Sequence, residues 1–166
     1  RLPLADVPIV IGDRQTHFVM VANETVDLVG AQDSRVRVTF IPTPFGPFTI
    51  VSVENVIGSN RADIIVGSGA ANVINGNLGA NTLDAAGGAH KLNGKAGNDT
   101  YVVDDLGDQV TEDAANGGVD LVQSSVTFTL GLDVENLLLT GSRSIGGTGN
   151  ALANTLDGNA GNNPLD

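Results

Sequence analysis

A period of nine residues runs through the middle of this 166-residue chain and limits what the chain can fold into. Five blocks follow from Gly58 to Val102 without a gap: GSNRADIIV, GSGAANVIN, GNLGANTLD, AAGGAHKLN and GKAGNDTYV. In the aligned blocks the eighth residue is always aliphatic or aromatic, and the sixth is Asp, Asn or His. A constant apolar column predicts copies of one small unit that stack on each other.

Both columns continue outside the five blocks, and a longer repeat surrounds them. The sixth column contains Glu54, Asp63, Asn72, Asn81, His90, Asp99, Asn154 and Asn163. The eighth column contains Val56, Ile65, Ile74, Leu83, Leu92, Tyr101, Leu156 and Leu165. The phrase VENV at 53–56 returns as VENL at 134–137. These repeats predict four segments: a β-rich lead-in and cap (1–48), a first nonapeptide run (49–102), a strand-rich spacer (103–139) and a truncated second run (140–166).

The composition of the blocks excludes a helix and favours very short strands. Each glycine costs a helix about 1 kcal/mol relative to alanine, and one apolar residue in nine makes no helical stripe. Three-residue strands must stack on copies of themselves, about 4.8 Å apart. The sequence therefore predicts an all-β fold, a parallel β-roll or β-solenoid, with eighth positions inside and seventh and ninth positions outside. The alternation around Val38 and Phe40 predicts that strands of the lead-in cap the stack.

Charge and composition narrow the function. The chain has 19 acidic against 8 basic residues, a net charge of −11, which argues against nucleic acid and for cations as partners. It has no Cys, and no H-E-x-x-H, G-x-S-x-G or P-loop motif, so we expect no catalytic residues, although the chain could be appended to a secreted enzyme. No apolar run approaches the roughly 18 residues of a membrane span. Because the chain begins at Arg1 and ends inside a repeat, we expect a piece of a longer polypeptide.

The block from Gly94 to Val102, GKAGNDTYV, resembles the G-G-x-G-x-D-x-U-x nonapeptide of the RTX (haemolysin-type) calcium-binding repeats. The resemblance covers roughly 49–166 and includes phrases such as NDTYVVDD and GNALANTLDGNAGNN. It implies a β-roll with two blocks per turn and Ca²⁺ between successive turns on one edge. It also implies a bacterial protein that leaves the cell by type I secretion and folds outside it, in the medium or on the cell surface.

With two blocks per turn, sixth positions divide between two edges. The first edge holds Asp63, Asn81 and Asp99, and the hard oxygens of this ladder predict calcium there, with about one to three ions in all. Turn carbonyls would complete the coordination around Gly58, Gly76, Gly79, Gly94 and Gly97. On the second edge His90 offers nitrogen, and Glu54 lacks a glycine turn. The weaker candidate ligands are Asn72, Asn154 and Asn163.

Alternatives without metal remain at several of these positions. Asn side chains at the sixth position can cap their own turns and form a ladder by themselves. His90 is expected to be an exposed turn residue. The acidic stretch from Asp104 to Asp113 is either a further calcium loop or a set of solvated charges. Non-glycine residues at turn positions should reshape turns or cost about 1 kcal/mol where φ is positive. They are Arg61, Ala70, Ala85, Ala86 and Lys95.

These observations favour a calcium-binding, non-catalytic module of a secreted or surface bacterial protein that couples external calcium to folding. The alternative is an adhesin or a polysaccharide-binding accessory module of a larger secreted enzyme, in which calcium is only structural. Its partner would be a polysaccharide or a cell-surface ligand. Ice binding is less favoured because the seventh column varies among Ile, Val, Thr and Lys.

Overall fold

The computed structural model describes strands in the N-terminal part (17–20, 26–27, 37–40 and 48–51) and the backbone of 55–58, 60–113 and 117–166. Side chains are described from Val56 onward within these ranges. Every paired strand in the described part runs parallel to its neighbours, and no helix occurs there. The predicted all-β, parallel β-solenoid is therefore confirmed.

The strands are short, as one apolar residue per block requires. They are β1 His17–Met20, β2 Val26–Asp27, β3 Arg37–Phe40, β4 Phe48–Val51, β5 Asn55–Ile57, β6 Ile64–Val66, β7 Val73–Asn75, β8 Thr82–Asp84, β9 Lys91–Asn93, β10 Thr100–Val103, β11 Gln109–Thr111, β12 Leu121–Ser124, β13 Phe128–Thr129, β14 Asn136–Leu139, β15 Gly147–Thr148 and β16 Thr155–Asp157.

Successive strands alternate between two long sheets. One sheet has six strands in the order β1-β3-β5-β7-β9-β11, the other has eight in the order β16-β14-β12-β10-β8-β6-β4-β2, and β13 pairs with β15. Ile64 pairs with Thr82, and Thr82 pairs with Thr100, so one turn of the solenoid takes two blocks. The lead-in strands belong to the same two sheets, which extends the stack towards the N-terminus. Their role as a cap stays a prediction.

The core is one column of side chains from each sheet. Eighth-position residues are fully buried through the nonapeptide run, while the residues on either side of them face outwards. The column of the six-stranded sheet contains Val56, Ile74, Leu92 and Val110, and that of the eight-stranded sheet contains Ile65, Leu83, Tyr101, Val122 and Leu137. Val110 shows that the nonapeptide stack continues into the segment predicted as a spacer.

Two successive turns of the stack depart by three residues from the length of two blocks. The first edge carries the connections from the six-stranded to the eight-stranded sheet, and these have six residues at 58–63, 76–81 and 94–99. The next connection, 112–120, has nine residues, so the turn that pairs Thr100 with Leu121 is three residues longer than two blocks. On the opposite, second edge, the connection 125–127 has only three residues, and the turn that pairs Leu121 with Asn136 is three residues shorter than two blocks.

At the second position of the blocks, three residues have positive φ although they are not glycine. These are Asn77 (76°), Ala86 (54°) and Lys95 (76°), so the predicted cost of a Cβ applies at Ala86 and Lys95. Arg61 and Ala70, at the fourth position, do not have positive φ, whereas Gly79, Gly88 and Gly97 at that position do. The turns that lack the fourth-position glycine are therefore reshaped, as the sequence predicts.

Substitution of Ala86 with glycine should stabilise the protein by roughly 0.5–1 kcal/mol, because glycine adopts φ of 54° without the Cβ clash. Chemical denaturation of A86G would measure the change. Ala85→Gly is the matched control, since Ala85 is fully buried without positive φ and its methyl group packs in the core. A loss of stability in A86G similar to that in A85G would contradict the assignment of strain.

Candidate metal centre

Sixth-position side chains on the first edge form a ladder of hydrogen bonds along the stack. The Asp63 N–H donates to Asn81 Oδ1 (3.0 Å), and the Asn81 N–H donates to Asp99 Oδ1 (2.7 Å). The ladder continues with the Asp99 N–H donating to Asp120 Oδ1 (2.7 Å) and the Asp120 N–H to Glu135 Oε2 (2.8 Å). Each side chain thus satisfies a buried backbone donor of the preceding turn, which holds the edge together without a metal.

The second edge has its own ladder, and it includes His90. The Asn72 N–H donates to His90 Nδ1 (3.1 Å), and the His90 N–H donates to Asp108 Oδ1 (2.9 Å). His90 is fully buried, so the expectation of an exposed turn residue was wrong. The reason is that sixth-position side chains of the described nonapeptide run point into the turn, where the His90 ring nitrogen replaces a carboxylate oxygen as acceptor. The observed ladders also confirm the division of sixth positions between two edges, except at Glu54, which lies outside the described residues.

The three weaker candidate ligands cap their own turns. Asn72 Oδ1 accepts from the Ser68 N–H (2.9 Å), Asn154 Oδ1 from the Asn150 N–H (2.7 Å) and Asn163 Oδ1 from the Asn159 N–H (2.8 Å). Each pair is four residues apart, so the amide closes the six-residue turn as the alternative without metal predicts. These amide oxygens are engaged in backbone hydrogen bonds.

Asn81 is also committed to hydrogen bonds within the ladder. Its Oδ1 accepts from the Asp63 N–H, and its Nδ2 donates to the Gly79 carbonyl (2.9 Å). Asp63 lies one turn before Asn81 and Asp99 one turn after it, so the three predicted ligands form a column along the edge. Calcium coordination by this column stays a prediction.

The first residue of each six-residue turn on the first edge is a glycine for a steric reason. A Cβ on Gly58 would overlap the Asp63 carboxylate, and a Cβ on Gly94 would overlap the Asp99 carboxylate and the Tyr101 hydroxyl. The nine-residue connection, 112–120, begins instead with Glu112. A carboxylate therefore enters the column in which the other turns have no side chain.

Glu112 meets two ladder carboxylates. One carboxylate oxygen from each of Asp99, Glu112 and Asp120 lies within 4.8 Å of one from each of the others. Asp99 is 1% exposed and Asp120 is fully buried. Asp99 Oδ2, Glu112 Oε1 and Asp120 Oδ2 are buried oxygens with no hydrogen-bond partner among the residues that the structure describes. We call these three residues the carboxylate cluster. Oδ1 of each aspartate serves the ladder, and Oδ2 remains available for a ligand.

Burial and mutual repulsion shift the acidity of the cluster. Burial, followed by the charges of Asp120 and Asp99, raises the pKa of Glu112 from 4.5 to about 8. Burial likewise raises the pKa of Asp120 from 3.8 to about 6, with the charges of Asp99 and Glu135 adding to the increase. Burial also raises the pKa of Asp99, although hydrogen bonds from Asn81 oppose it. The charged cluster therefore lacks a counter-charge, which either a proton or a metal ion can supply.

The chemistry of the cluster selects hard cations. The three carboxylates offer one unpaired oxygen each and no nitrogen or sulfur, a donor set that suits Ca²⁺ or Mg²⁺ rather than zinc. A spread of up to 4.8 Å matches oxygens on opposite sides of a Ca²⁺ ion, whose bonds are about 2.3–2.6 Å long. The residues present thus fit the predicted cofactor.

Sequence reasoning identified only one member of this cluster. Asp99 was a predicted ligand, whereas Glu112 was grouped with the acidic stretch and Asp120 was not considered. The structure divides that stretch: Asp108 joins the second ladder, and Glu112 joins the cluster. The repeat does contain a signal for Asp120. If the connection before β12 is read as three residues longer than the regular turn, Asp120 falls at a sixth position, as Asp99 does one turn earlier.

No protein-family profile, curated protein or solved structure matches this chain. Within the part of the chain that the structure describes, no helix is long and apolar enough to span a membrane.

Proposed function

We propose that this chain is a calcium-binding, non-catalytic module of the RTX type from a secreted or cell-surface bacterial protein, in which external calcium stabilises the β-solenoid. The observation that carries the proposal is the carboxylate cluster, whose three buried oxygens have no hydrogen-bond partner within the described part of the chain. Buried polar groups are almost always paired, and buried charges are paired or bind metals. The net charge of −11 and the resemblance of the nonapeptides to RTX repeats support the same conclusion.

The ion would link two successive turns of the stack. Asp99 ends one first-edge turn, whereas Glu112 and Asp120 begin and end the next. Without an ion, the folded chain must keep three carboxylates together in a buried position, which costs free energy through desolvation and repulsion. An ion that binds only the folded arrangement removes this cost and adds stability that grows with its concentration. Calcium would thereby be coupled to folding at this point of the solenoid.

Terbium luminescence tests the proposal directly, because Tb³⁺ replaces Ca²⁺ at oxygen sites and is sensitised by a nearby aromatic ring. The chain has one Tyr and no Trp, and Tyr101 Oη lies with Asp99 Oδ2 against Gly94. We expect Tb³⁺ titration with tyrosine excitation to give saturable emission that Ca²⁺ reverses by competition. Asp120→Asn should weaken Tb³⁺ binding by about 100-fold, as expected for loss of a buried charged ligand.

Two further variants make the result specific to the cluster. Asp113→Asn removes the same charge from an exposed carboxylate next to Glu112 and should leave the emission unchanged. Asp63→Asn tests the column predicted from sequence, since Asp63 lies two turns from Asp99. If emission persisted in D120N but disappeared in D63N, the ion would bind at the column of Asp63 and Asn81 rather than at the carboxylate cluster. Wild-type protein without saturable emission or calcium competition would refute the proposed function.

A further inference from the structure

Gly94 departs from the hydrogen-bonding pattern of the first edge. In the two preceding turns the N–H of the first residue donates to a carbonyl one turn further along: Gly58 to the Asn75 oxygen (2.7 Å) and Gly76 to the Asn93 oxygen (2.8 Å). The Gly94 N–H instead donates to the hydroxyl of Tyr101 (2.7 Å). A side chain from the core thus replaces a backbone acceptor at this one turn.

The register identifies the carbonyl that loses this hydrogen bond. Asn75 pairs with Asn93, and Asn93 pairs with Thr111, so the carbonyl of Thr111 corresponds to those that accept from Gly58 and Gly76. Thr111 immediately precedes Glu112 of the carboxylate cluster. The Gly94 N–H thus donates to Tyr101 rather than to the carbonyl of the residue next to Glu112.

Tyr101 is the residue that makes this exchange possible. It occupies the eighth column, where the other residues from Val56 to Val122 are aliphatic and carry no polar atom. Tyr101 is fully buried, and its hydroxyl lies beside Asp99 Oδ2 against the Cα of Gly94. A phenol that accepts from an N–H still has its own hydrogen to donate. The Tyr101 hydroxyl therefore lies next to Asp99 Oδ2, one of the three oxygens of the carboxylate cluster.

We infer that Tyr101 is a positioning residue of the cation site: by accepting from Gly94 it frees the carbonyl of Thr111 to serve as a fourth oxygen ligand. This inference rests on the proposed function, because it assigns a further residue to the same site. It accounts for the one aromatic side chain in an otherwise aliphatic column. Calcium takes six to eight oxygens and commonly uses backbone carbonyls, so a carbonyl from the residue next to Glu112 would add to the three carboxylate oxygens a ligand of the kind that calcium prefers.

Tyr101→Phe removes only the hydroxyl and tests the inference by calorimetric titration with Ca²⁺. We expect the affinity of Y101F to fall by about 10-fold, because the Gly94 N–H regains the Thr111 carbonyl as its acceptor. Leu83→Val is the matched control: Leu83 pairs with Tyr101 one turn earlier, and its shortening loosens the core without touching the site. The affinity of L83V should equal that of the wild type.

A spectroscopic measurement on the wild type accompanies the titration and needs no variant to fold. The near-ultraviolet circular dichroism of the single tyrosine should change as calcium binds, with the same midpoint as the calorimetric titration. An unchanged tyrosine band would overturn the inference. Equal affinities of Y101F and wild type, or equal losses in Y101F and L83V, would overturn it while leaving the proposed function intact. Absence of calcium binding to the wild type would refute the proposed function itself.

Discussion

Substitution of Gly97 with alanine should destabilise the protein by about 2–4 kcal/mol and lower its melting temperature by roughly 5–15 °C. Gly97 has a φ of 134°, a conformation that a residue with a Cβ rarely adopts. An added Cβ would also overlap the carbonyl oxygen of Gly79 in the preceding turn. That oxygen belongs to the backbone, so the clash can be relieved only by separating two turns of the stack. Thermal and urea denaturation would measure the loss.

Two other glycines separate the contributions of conformation and contact. Gly141 has a φ of 76° but open space where a Cβ would be, so G141A should cost only about 1 kcal/mol. Gly69 has neither a positive φ nor a neighbour within 4 Å, so G69A should change the stability by no more than about 0.5–1 kcal/mol. If G97A were no less stable than G141A, close stacking of the first-edge turns would not limit the residue at this position.

Without calcium, the stability of the wild-type protein should fall as the pH rises from about 4.5 to about 8. The folded protein keeps a proton on Glu112 up to a pKa of about 8, whereas the unfolded chain releases it near 4.5. Between these values the folded state binds more protons, so raising the pH favours unfolding. The stabilisation is complete below about 4.5 and is lost as the pH passes about 8. Asp120, with a pKa of about 6, adds a similar loss at lower pH.

Glu112→Gln should remove most of this pH dependence and most of the response to calcium. The amide resembles the protonated acid in shape, so the metal-free variant should be at least as stable as the wild type at pH 8. For the wild type at pH 8, calcium at about 100 times its Kd should add about 2.7 kcal/mol, or roughly 5–10 °C. Melting curves with calcium and with chelator, at pH 5 and pH 8, would measure both effects.

Asp113→Asn is the control for Glu112→Gln, because it changes the adjacent residue and the net charge equally. Asp113 is exposed and pairs with Lys95 Nζ at 3.1 Å, an ion pair of the kind that contributes little to stability. D113N should retain both the pH dependence and the calcium response. Metal-free wild-type protein that becomes more stable between pH 5 and pH 8 would contradict the assignment of a buried, protonated Glu112.

The fold was predictable because its cause is local and repeats. The apolar residue in every eighth position, from Val56 to Tyr101, required an inward column, and the glycine-rich stretches between them excluded a helix. The same alignment marks Ala86 and Lys95 as residues in place of glycine, and both have positive φ. His90 was judged by its residue type rather than its column, and its column buries it. The repeat was therefore a better guide to burial than the chemistry of the individual side chain.

The carboxylate cluster was harder to predict because it depends on a departure from the repeat. Asp99 lies in the strongest nonapeptide and was found by its position. Glu112 and Asp120 lie where the nine-residue pattern breaks, and their proximity follows from the pairing of Thr100 with Leu121 across the lengthened turn. An alignment of blocks in fixed steps of nine places Glu112 at a first position, in its correct column, but places Asp120 at a ninth position, whereas the strand register places it at a sixth. Only the strand register shows that these three carboxylates, which belong to two successive turns, lie close together.

The two changes of turn length compensate each other. The turn from Thr100 to Leu121 is three residues longer than two blocks, and the turn from Leu121 to Asn136 is three residues shorter, so together they have the length of two regular turns. The three-residue insertion on the first edge shifts the register of the nine-residue repeat, and the three-residue deletion on the second edge restores it. Beyond this point the eight-stranded sheet continues through β14 and β16, whereas the six-stranded sheet ends at β11 and β13 pairs with β15 instead. The paired change of length thus preserves one wall of the solenoid while the other is rebuilt, and the carboxylate cluster lies at this junction.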